Sequence, residues 1–379
     1  METVEVCIIG AGMAGASVAY HLARDANVML IEREPQVGYH TTGRSAAIYM
    51  PIYGSSLVRL LTRASGDFLR APPAGFAAAP LLSPRGLLTI GNEAQRALVP
   101  TFEESAAALG LSLALLSPAQ AKALLPALRV EAFDWAIHDP SVRGIDVDLL
   151  LQGFLRGARE RGARLAVLRD ALTLERQSGG WRIRGSTLEL NAQVVVNAAG
   201  AWADELAVRA GLPPLGLTPY RRTAFIFDAP PGVDIAHWPL VADAAESFYF
   251  KPDGGRLLGS LAEEVASVPC DAQPDELDVA VAVDRIEQVL DFPIQRVGRS
   301  WTGLRTFTPD RDPVSGFDPE SSGFYWHAGL GGFGIQTASA LGAFAAAMIS
   351  GAGLPAALAG LKLQARQLGV ERLRGSPGS

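Results

Sequence analysis

The chain has 379 residues, 49% of them hydrophobic and 19% charged, with a formal net charge of −6. That is long and apolar enough to bury the cores of two domains, while the acidic balance, with no basic tract or aromatic–basic ladder, excludes broad nucleic-acid binding. Two cysteines, Cys7 and Cys270, form neither a disulfide framework nor a zinc signature, so no metal is expected and the usage fits a reducing cytoplasm. Met1-Glu2-Thr3-Val4-Glu5 lacks a basic leader segment and enters a strand at once, so no signal peptide is expected. The most apolar tract, 338–361, is broken by Gly351, Gly353 and Pro355. It reads as a buried small-residue helix plus a terminal segment, not a membrane span.

In chain order, the apolar run 4–9 leads into Gly10-Ala11-Gly12-Met13-Ala14-Gly15, three glycines spaced G-x-G-x-x-G. A helical pattern follows over 16–24, and a second apolar run, 28–31, ends in Glu32, 22 residues after Gly10. Gly10 permits a tight turn, Gly12 lets the backbone approach a pyrophosphate, and Gly15 lets helix and strand pack closely. The helix N-terminus offers free N–H groups to phosphates, and Glu32 can accept from ribose hydroxyls. A lone G-x-G-x-x-G is weak, but the flanking strand, helix and acid make this a dinucleotide site.

Residues 33–47 show no period of 2 or 3.6 and read as a loop or arm beside the cofactor motif. A helix is expected over 56–69, a short strand over 86–91 and a helix over 93–109. Residues 146–161 form an amphipathic helix with Asp146 and Asp148 at its acidic start. The runs 164–168, 172–176, 181–184 and 187–190 read as a meander of strands. Residues 194–203 are an apolar strand returning to the N-terminal sheet, with 198–200 against the dinucleotide. Strands follow at 223–227, 247–251 and 256–259, then a helix over 275–290. Residues 301–307 and 323–328 precede a second glycine-rich turn, 329–337, that opens a long alanine-rich helix and repeats the logic of the first. No internal repeat or low-complexity linker appears. The fold class is α/β with an α+β substrate domain: a Rossmann-like domain over 1–80, 145–215 and 300–379, interleaved with a substrate domain over 81–144 and 216–299.

The first glycine turn, Thr41-Thr42-Gly43-Arg44-Ser45-Ala46-Ala47, Asn197-Ala198-Ala199-Gly200-Ala201-Trp202, Gly303-Leu304-Arg305 and Gly331-Gly332-Phe333-Gly334-Ile335-Gln336-Thr337 together resemble the FAD-dependent amine oxidoreductases. That family includes D-amino acid oxidase, glycine oxidase and sarcosine oxidase. The resemblance covers essentially the whole chain and, within the family, is strongest to the bacterial D-arginine dehydrogenase branch. It implies an FAD domain joined to a large mixed/antiparallel substrate sheet, with FAD held non-covalently. The cofactor contacts it implies are Gly10, Gly12, Met13, Ala14, Gly15, Glu32 and Arg33 in the first unit, and Thr42, Gly43, Arg44, Ser45, Ala46 and Ala47 in the arm. Ala199, Gly200, Trp202, Gly303, Gly331, Gly332, Gly334, Ile335 and Gln336 complete them.

Oxidising an amine at its α-carbon moves a hydride to the flavin, so the protein's task is orientation. A carboxylate is best held by planar arginine forks, and Arg222 and Arg305 are the candidates. The structural alternative is an internal salt bridge for each. By resemblance, Tyr53 and Tyr249 line the pocket and the Gly332 carbonyl receives the substrate amine; the alternative for the tyrosines is an amphipathic core role. No general base stands out. His21, His40, His138, His237 and His327 do not cluster in the sequence, and none is assigned a role.

Where the D-arginine branch holds a guanidinium with an acid, this chain has Leu87, and two further polar positions are Ile48 and Met50. A guanidinium left unpaired there costs roughly 3–5 kcal/mol. An apolar side chain gains about 1.5–3 kcal/mol from burial. The expected substrate is therefore a neutral, apolar D-amino acid, unless Asp228, Asp243 or Glu246 restores a negative charge. The other readings are a sarcosine- or proline-type secondary-amine oxidoreductase and a flavin-binding protein without turnover. The expected partners are a small-molecule amino acid and an electron acceptor, a quinone or another, with a monomeric chain.

Overall fold

A computed structural model describes residues 2–168 and 172–374. The first glycine turn sits at the carboxyl edge of an eight-stranded sheet. Its founding strand, Glu2–Ile9, pairs in parallel with Val28–Ile31 on one side and Glu189–Asn197 on the other. Arg164–Ala166 extends the parallel set beyond Val28–Ile31, and Phe324–Ala328 extends it beyond Glu189–Asn197. All four residues of Val28–Ile31 are buried, the mark of a strand covered on both faces. One face carries the helices Met13–Leu22, Val147–Glu160 and Gly334–Ser350. Small residues bring them close: a Cβ on Gly342 would lie 2.8 Å from Ser17, and one on Gly157 2.5 Å from Tyr20. The other face is covered by Leu174, Trp181, Ile183 and Leu190, together with Leu206 and Ala207 from the helix Ala203–Arg209.

The expected four-run meander is corrected here. Only Thr173–Gln177, Gly180–Arg184 and the start of Glu189–Asn197 form it. Arg164–Ala166 joins the opposite end of the sheet. The runs expected at 187–190 and 194–203 merge into one strand, because Asn191 and Gln193 are polar positions of a continuous alternation, not a turn. The helix expected over 93–109 is a 3₁₀ segment, Glu93–Leu98, followed by the α-helix Val99–Ala107. Pro100 falls in the first turn of the second piece, where its missing N–H is harmless, and it cannot continue the first.

A nine-stranded sheet forms the second layer system. Leu240–Asp243 and Leu87–Gly91 pair in parallel and the remaining pairs are antiparallel. The large mixed sheet expected of the fold is therefore present. Its strands Trp135–Asp139, Leu240–Asp243 and Ala114–Leu116, and the three-stranded sheet Ile48–Tyr49, Leu82–Pro84 and Arg143–Ile145, are too short to signal from periodicity. The longest pairing runs from Thr218↔Phe307 to Phe227↔Val297, so a boundary at residue 300 falls inside a paired strand.

Helix Gly334–Ser350 ends where Gly351 takes the left-handed conformation, φ +70°. Among the described residues no helix is long and apolar enough to cross a membrane, and no cluster of three His, Cys, Asp or Glu is placed to hold a metal.

Candidate active site

One cleft runs from the first glycine turn, past Ala198–Trp202, to Arg222, Tyr249, Arg305 and the second glycine turn. Its first wall is built by steric necessity. Gly10 has φ +107° and a Cβ there would lie 2.3 Å from the Ala198 carbonyl oxygen. A Cβ on Gly15 would lie 1.9 Å from the Gly10 carbonyl oxygen, so this glycine sets helix–strand packing and does not line the cleft. Glu32 pins the turn: one carboxylate oxygen accepts from the Ala11 N–H at 2.8 Å and the other from the Glu34 N–H at 3.0 Å. Gly12 gives helix Met13–Leu22 no side-chain cap, and Phe333 gives none to helix Gly334–Ser350. Two helix N-termini thus open on one cleft with free N–H groups.

The arm closes over this wall. Thr42 Oγ1 accepts from the Met13 N–H at 3.0 Å, and Thr41 Oγ1 donates to the Leu304 carbonyl at 2.7 Å. Arg44 lines the cleft, yet its guanidinium is engaged by the Thr302 carbonyl at 2.9 Å, the Ala272 carbonyl at 3.1 Å and Asp271. It anchors the arm to the nine-stranded sheet. Arg33 lies over the Trp202 ring, 4.1 Å from its centroid, and bonds Glu34. Burial would raise the Glu34 carboxyl, but hydrogen bonds from His40 and Arg33 outweigh it and hold it below its ordinary value.

Strand register explains the clamp. Arg222 stands opposite Gly303, and Arg305, two residues beyond Gly303, stands opposite Tyr220. Alternation puts both guanidiniums on one face as diagonal neighbours. The rung Tyr249–Ser260–Ala224 brings Tyr249 to the same face. Burial, then the neighbouring Arg305 charge, lowers the Arg222 pKa. Arg222 donates from Nε to the Glu263 carbonyl at 2.9 Å and reaches Glu264 at 3.5 Å. Burial works against the charge of Arg305 too, but Tyr53, whose hydroxyl stands against it, and Tyr249 reverse the direction and raise its pKa. Among the described residues no carboxylate forms an ion pair with Arg305, and its Nη1 has no partner. A Cβ on Gly332 would lie 3.1 Å from Arg305 Cζ, so the second turn packs tightly on this guanidinium.

Ile48, Met50 and Leu87 come together with Val142, Leu240, Ala242 and Tyr249 in one apolar cluster. None of the three lines the cleft; they meet it through Tyr249. Tyr53 packs edge-on against Phe333, centroids 5.2 Å apart, and likewise stands behind the lining. Gly43, Ala47 and Gln336 are also behind it. A Cβ on Gly43 would lie 2.7 Å from the Gly38 carbonyl oxygen, and Ala47 takes φ +47°. Gln336 accepts the Met50 N–H at 2.9 Å, which ties the apolar cluster to the second turn, and its Nε2 has no partner. The other expected cofactor contacts, including Met13, Ala14, Ser45, Ala46, Ala199, Gly200, Gly331, Gly334 and Ile335, line the cleft.

Sequence reasoning missed Thr306 and His327. Both line the cleft, are buried, and have a side-chain atom without a partner, Thr306 Oγ1 and His327 Nε2. With Arg305 Nη1, three orphaned polar atoms belong to residues that line one cleft, which also receives two helix N-termini. Buried polar groups need partners, so the site fits an elongated, anionic dinucleotide and a carboxylate. No pattern in the sequence marks His327, because its strand, Phe324–Ala328, is buried throughout.

Residues 5–348 match the family described as FAD dependent oxidoreductase, DAO. FAD-dependent oxidoreductase domain-containing protein 1 of Bos taurus is 26% identical over 92% of this chain and 81% of its own length. Human mitochondrial sarcosine dehydrogenase is 26% identical over 90% of this chain, but only 39% of that protein is covered. Among solved structures, glycine oxidase from Geobacillus kaustophilus aligns with a TM-score of 0.86 at 22% identity, covering 98% of this chain and 99% of that one. Iminodiacetate oxidase from Chelativorans sp. BNC1 aligns at 0.79 and 24% identity, covering 97% and 100%.

Proposed function

We propose, from the premise that this chain belongs to the DAO family of FAD-dependent oxidoreductases, that it oxidises the Cα–N bond of small amines carrying a carboxylate and an apolar side chain. FAD is its cofactor. The substrates favoured are neutral D-amino acids such as leucine, methionine, valine and phenylalanine, on a scaffold resembling D-arginine dehydrogenase. The observation that carries the reading is Arg305, buried with no carboxylate partner, beside Arg222, both tyrosines and Gly332.

Bound FAD supplies the acceptor for two electrons and a proton, taken as hydride from Cα. Gly10, Gly12, Met13, Ala14, Glu32 and Arg33 would hold it at the first turn. Thr42, Ser45 and Ala46 would hold it from the arm, with Ala199, Gly200 and Trp202 alongside. Gly303, Gly331, Gly334 and Ile335 would complete the contacts. Gly15, Gly43, Ala47 and Gln336 would support these from behind, and Arg44 would contact FAD from the lining while it anchors the arm. Arg222 and Arg305 fix the substrate carboxylate, each charged hydrogen bond contributing about 1.5–3 kcal/mol. Tyr53 and Tyr249 complete the clamp, and the Gly332 carbonyl accepts from the amine. The amine proton leaves to solvent, so no protein base is required; water then converts the imino acid to the 2-oxo acid and ammonia. Ile48, Met50 and Leu87 give the side chain an apolar environment in which a guanidinium would go unpaired. Neither Cys7 nor Cys270 lines the cleft, which supports non-covalent FAD. The two-domain division, an electron acceptor that is a quinone or another, the monomeric state and the cytoplasmic location belong to this proposal as well.

A second reading, oxidation of a secondary amine, is favoured by the likeness to sarcosine dehydrogenase and iminodiacetate oxidase. It uses the same clamp. Leu87→Glu separates them. If the apolar cluster receives the substrate side chain, the variant gains turnover of D-arginine relative to D-leucine. If sarcosine or proline is the only substrate turned over, and the Leu87→Glu preference does not move, the secondary-amine reading stands.

A further inference from the structure

His327 lines the cleft, and its surroundings fix where its proton sits. It belongs to strand Phe324–Ala328, whose alternate residues Phe324, Trp326 and Ala328 face the core beneath the sheet. Tyr325 faces the helix side, and alternation sends His327 the same way, one residue past the pair Asn197↔Trp326 and just ahead of the second glycine turn. On that side three groups form a chain. Tyr325 Oη is 2.9 Å from Ser315 Oγ, and Ser315 Oγ is 3.0 Å from His327 Nδ1. Nε2, at the far end of the ring, has no partner among the described residues.

The chain has one satisfactory proton order. Tyr325 is fully buried and, among the described residues, its hydroxyl has Ser315 Oγ as its sole acceptor, so Tyr325 donates to Ser315. Ser315 then directs its own proton to the remaining partner, His327 Nδ1. Burial pulls the His327 pKa down to about 4, so near neutrality the ring carries one proton. With Nδ1 accepting, that proton is on Nε2. A buried N–H donor is thus left without an acceptor among the described residues.

We propose that His327 is a cofactor-positioning residue whose Nε2–H donates a hydrogen bond to an oxygen of the chain linking the two ring systems of bound FAD. The linker is the part of the cofactor rich in acceptor oxygens, and His327 stands just ahead of the second glycine turn in the cleft that both turns line. The inference rests on the FAD assignment but assigns a contact that neither glycine motif contains.

The test uses selectively ¹⁵N-histidine-labelled full-length protein, compared as apoprotein and after FAD addition, with FAD affinity read separately by titration of the apoprotein. The expected spectrum has a neutral His327 protonated at Nε2 in both states, with the Nε2 resonance moving when FAD binds. His327→Gln keeps an N–H at nearly the same reach and should hold FAD close to wild type. His327→Leu should weaken FAD about tenfold, which corresponds to ~1.4 kcal/mol. A His327 signal unchanged by FAD, as a permanently bound water would leave it, overturns the proposal, as does a ring protonated at Nδ1. Equal FAD affinity in His327→Leu and wild type also overturns it. Should the leucine variant fail to fold, the wild-type spectra decide alone. Wild-type apoprotein that takes up no FAD would instead sink the cofactor assignment itself.

Discussion

Arg305 is the residue on which the substrate reading turns. Its guanidinium is enclosed by Tyr53, Tyr249 and the backbone of Gly332, and one of its nitrogens has no partner. Replacing it by methionine keeps volume and removes the charged hydrogen bonds, so kcat/KM for an amino acid should fall about 10²–10³-fold. The amine lacking the carboxylate should lose far less. A similar loss for both, measured by stopped-flow flavin reduction, would mean that Arg305 serves the fold and not the carboxylate. Arg222 has Glu264 at 3.5 Å as a partial partner, so Arg222→Met should cost less than Arg305→Met in the same assay. Both arginines were legible in the sequence, Arg222 beside Arg221 at the start of an apolar strand and Arg305 after a glycine in a tryptophan-bearing segment, with their place at a carboxylate implied by the resemblance. Leu87, Ile48 and Met50 were legible as a group, though not that they meet the cleft only through Tyr249. His327 was not legible, because its meaning lies in contacts with Ser315 and Tyr325 that only the pairing of two strands creates.

At the scale of elements, the first strand–turn–helix unit was readable as a unit, although the helix expected over 16–24 runs over Met13–Leu22. Its glycines answer local steric demands, and a glycine motif records those directly. Gly10→Ala should therefore be severe: the left-handed φ and the 2.3 Å approach to the Ala198 oxygen have no room to relax. The expected outcome is purified protein with little bound FAD and a lowered urea midpoint; full FAD content and an unchanged midpoint would contradict the packing argument. The short strands of the nine-stranded sheet were not readable. Leu240–Asp243 and Trp135–Asp139 hold four and five residues, and their stability comes from neighbours far away in sequence, not from their own pattern. The merged strand Glu189–Asn197 failed for a related reason. Its central residues change partners, from Gly180–Arg184 to Phe324–Ala328, and the polar positions at the changeover imitate a turn.

For the whole molecule, the chain supplies strands alternately to the eight-stranded and the nine-stranded sheet, and Arg44 ties the arm to Asp271, Ala272 and Thr302. The acid limb of stability also belongs to this scale. Burial first, with Arg161 and Arg24 adding for His21, holds both His21 and His327 at about 4. Their unfolded value is near 6.5, so the unfolded chain takes up protons first as pH falls. The stability they contribute is fully present above about pH 6.5 and is lost as pH falls toward 4, up to about 3 kcal/mol for each. Glu263, raised above its ordinary range by burial, acts in the opposite sense. Urea midpoints of the FAD-saturated protein should fall between pH 7 and 4.5; a flat profile would contradict the burial of these rings.

The central claim, a flavin fed by carboxylate-bearing amines with apolar side chains, is tested most directly by anaerobic reduction of the purified yellow protein. The panel is D- and L-amino acids together with sarcosine and proline, with flavin absorbance as the readout. Rapid bleaching by D-leucine or D-methionine, with D-arginine slow, is the predicted result. Bleaching chiefly by D-arginine would contradict the apolar pocket, bleaching by sarcosine or proline alone would contradict the primary-amine reading, and no bleaching by any member would contradict the claim as a whole.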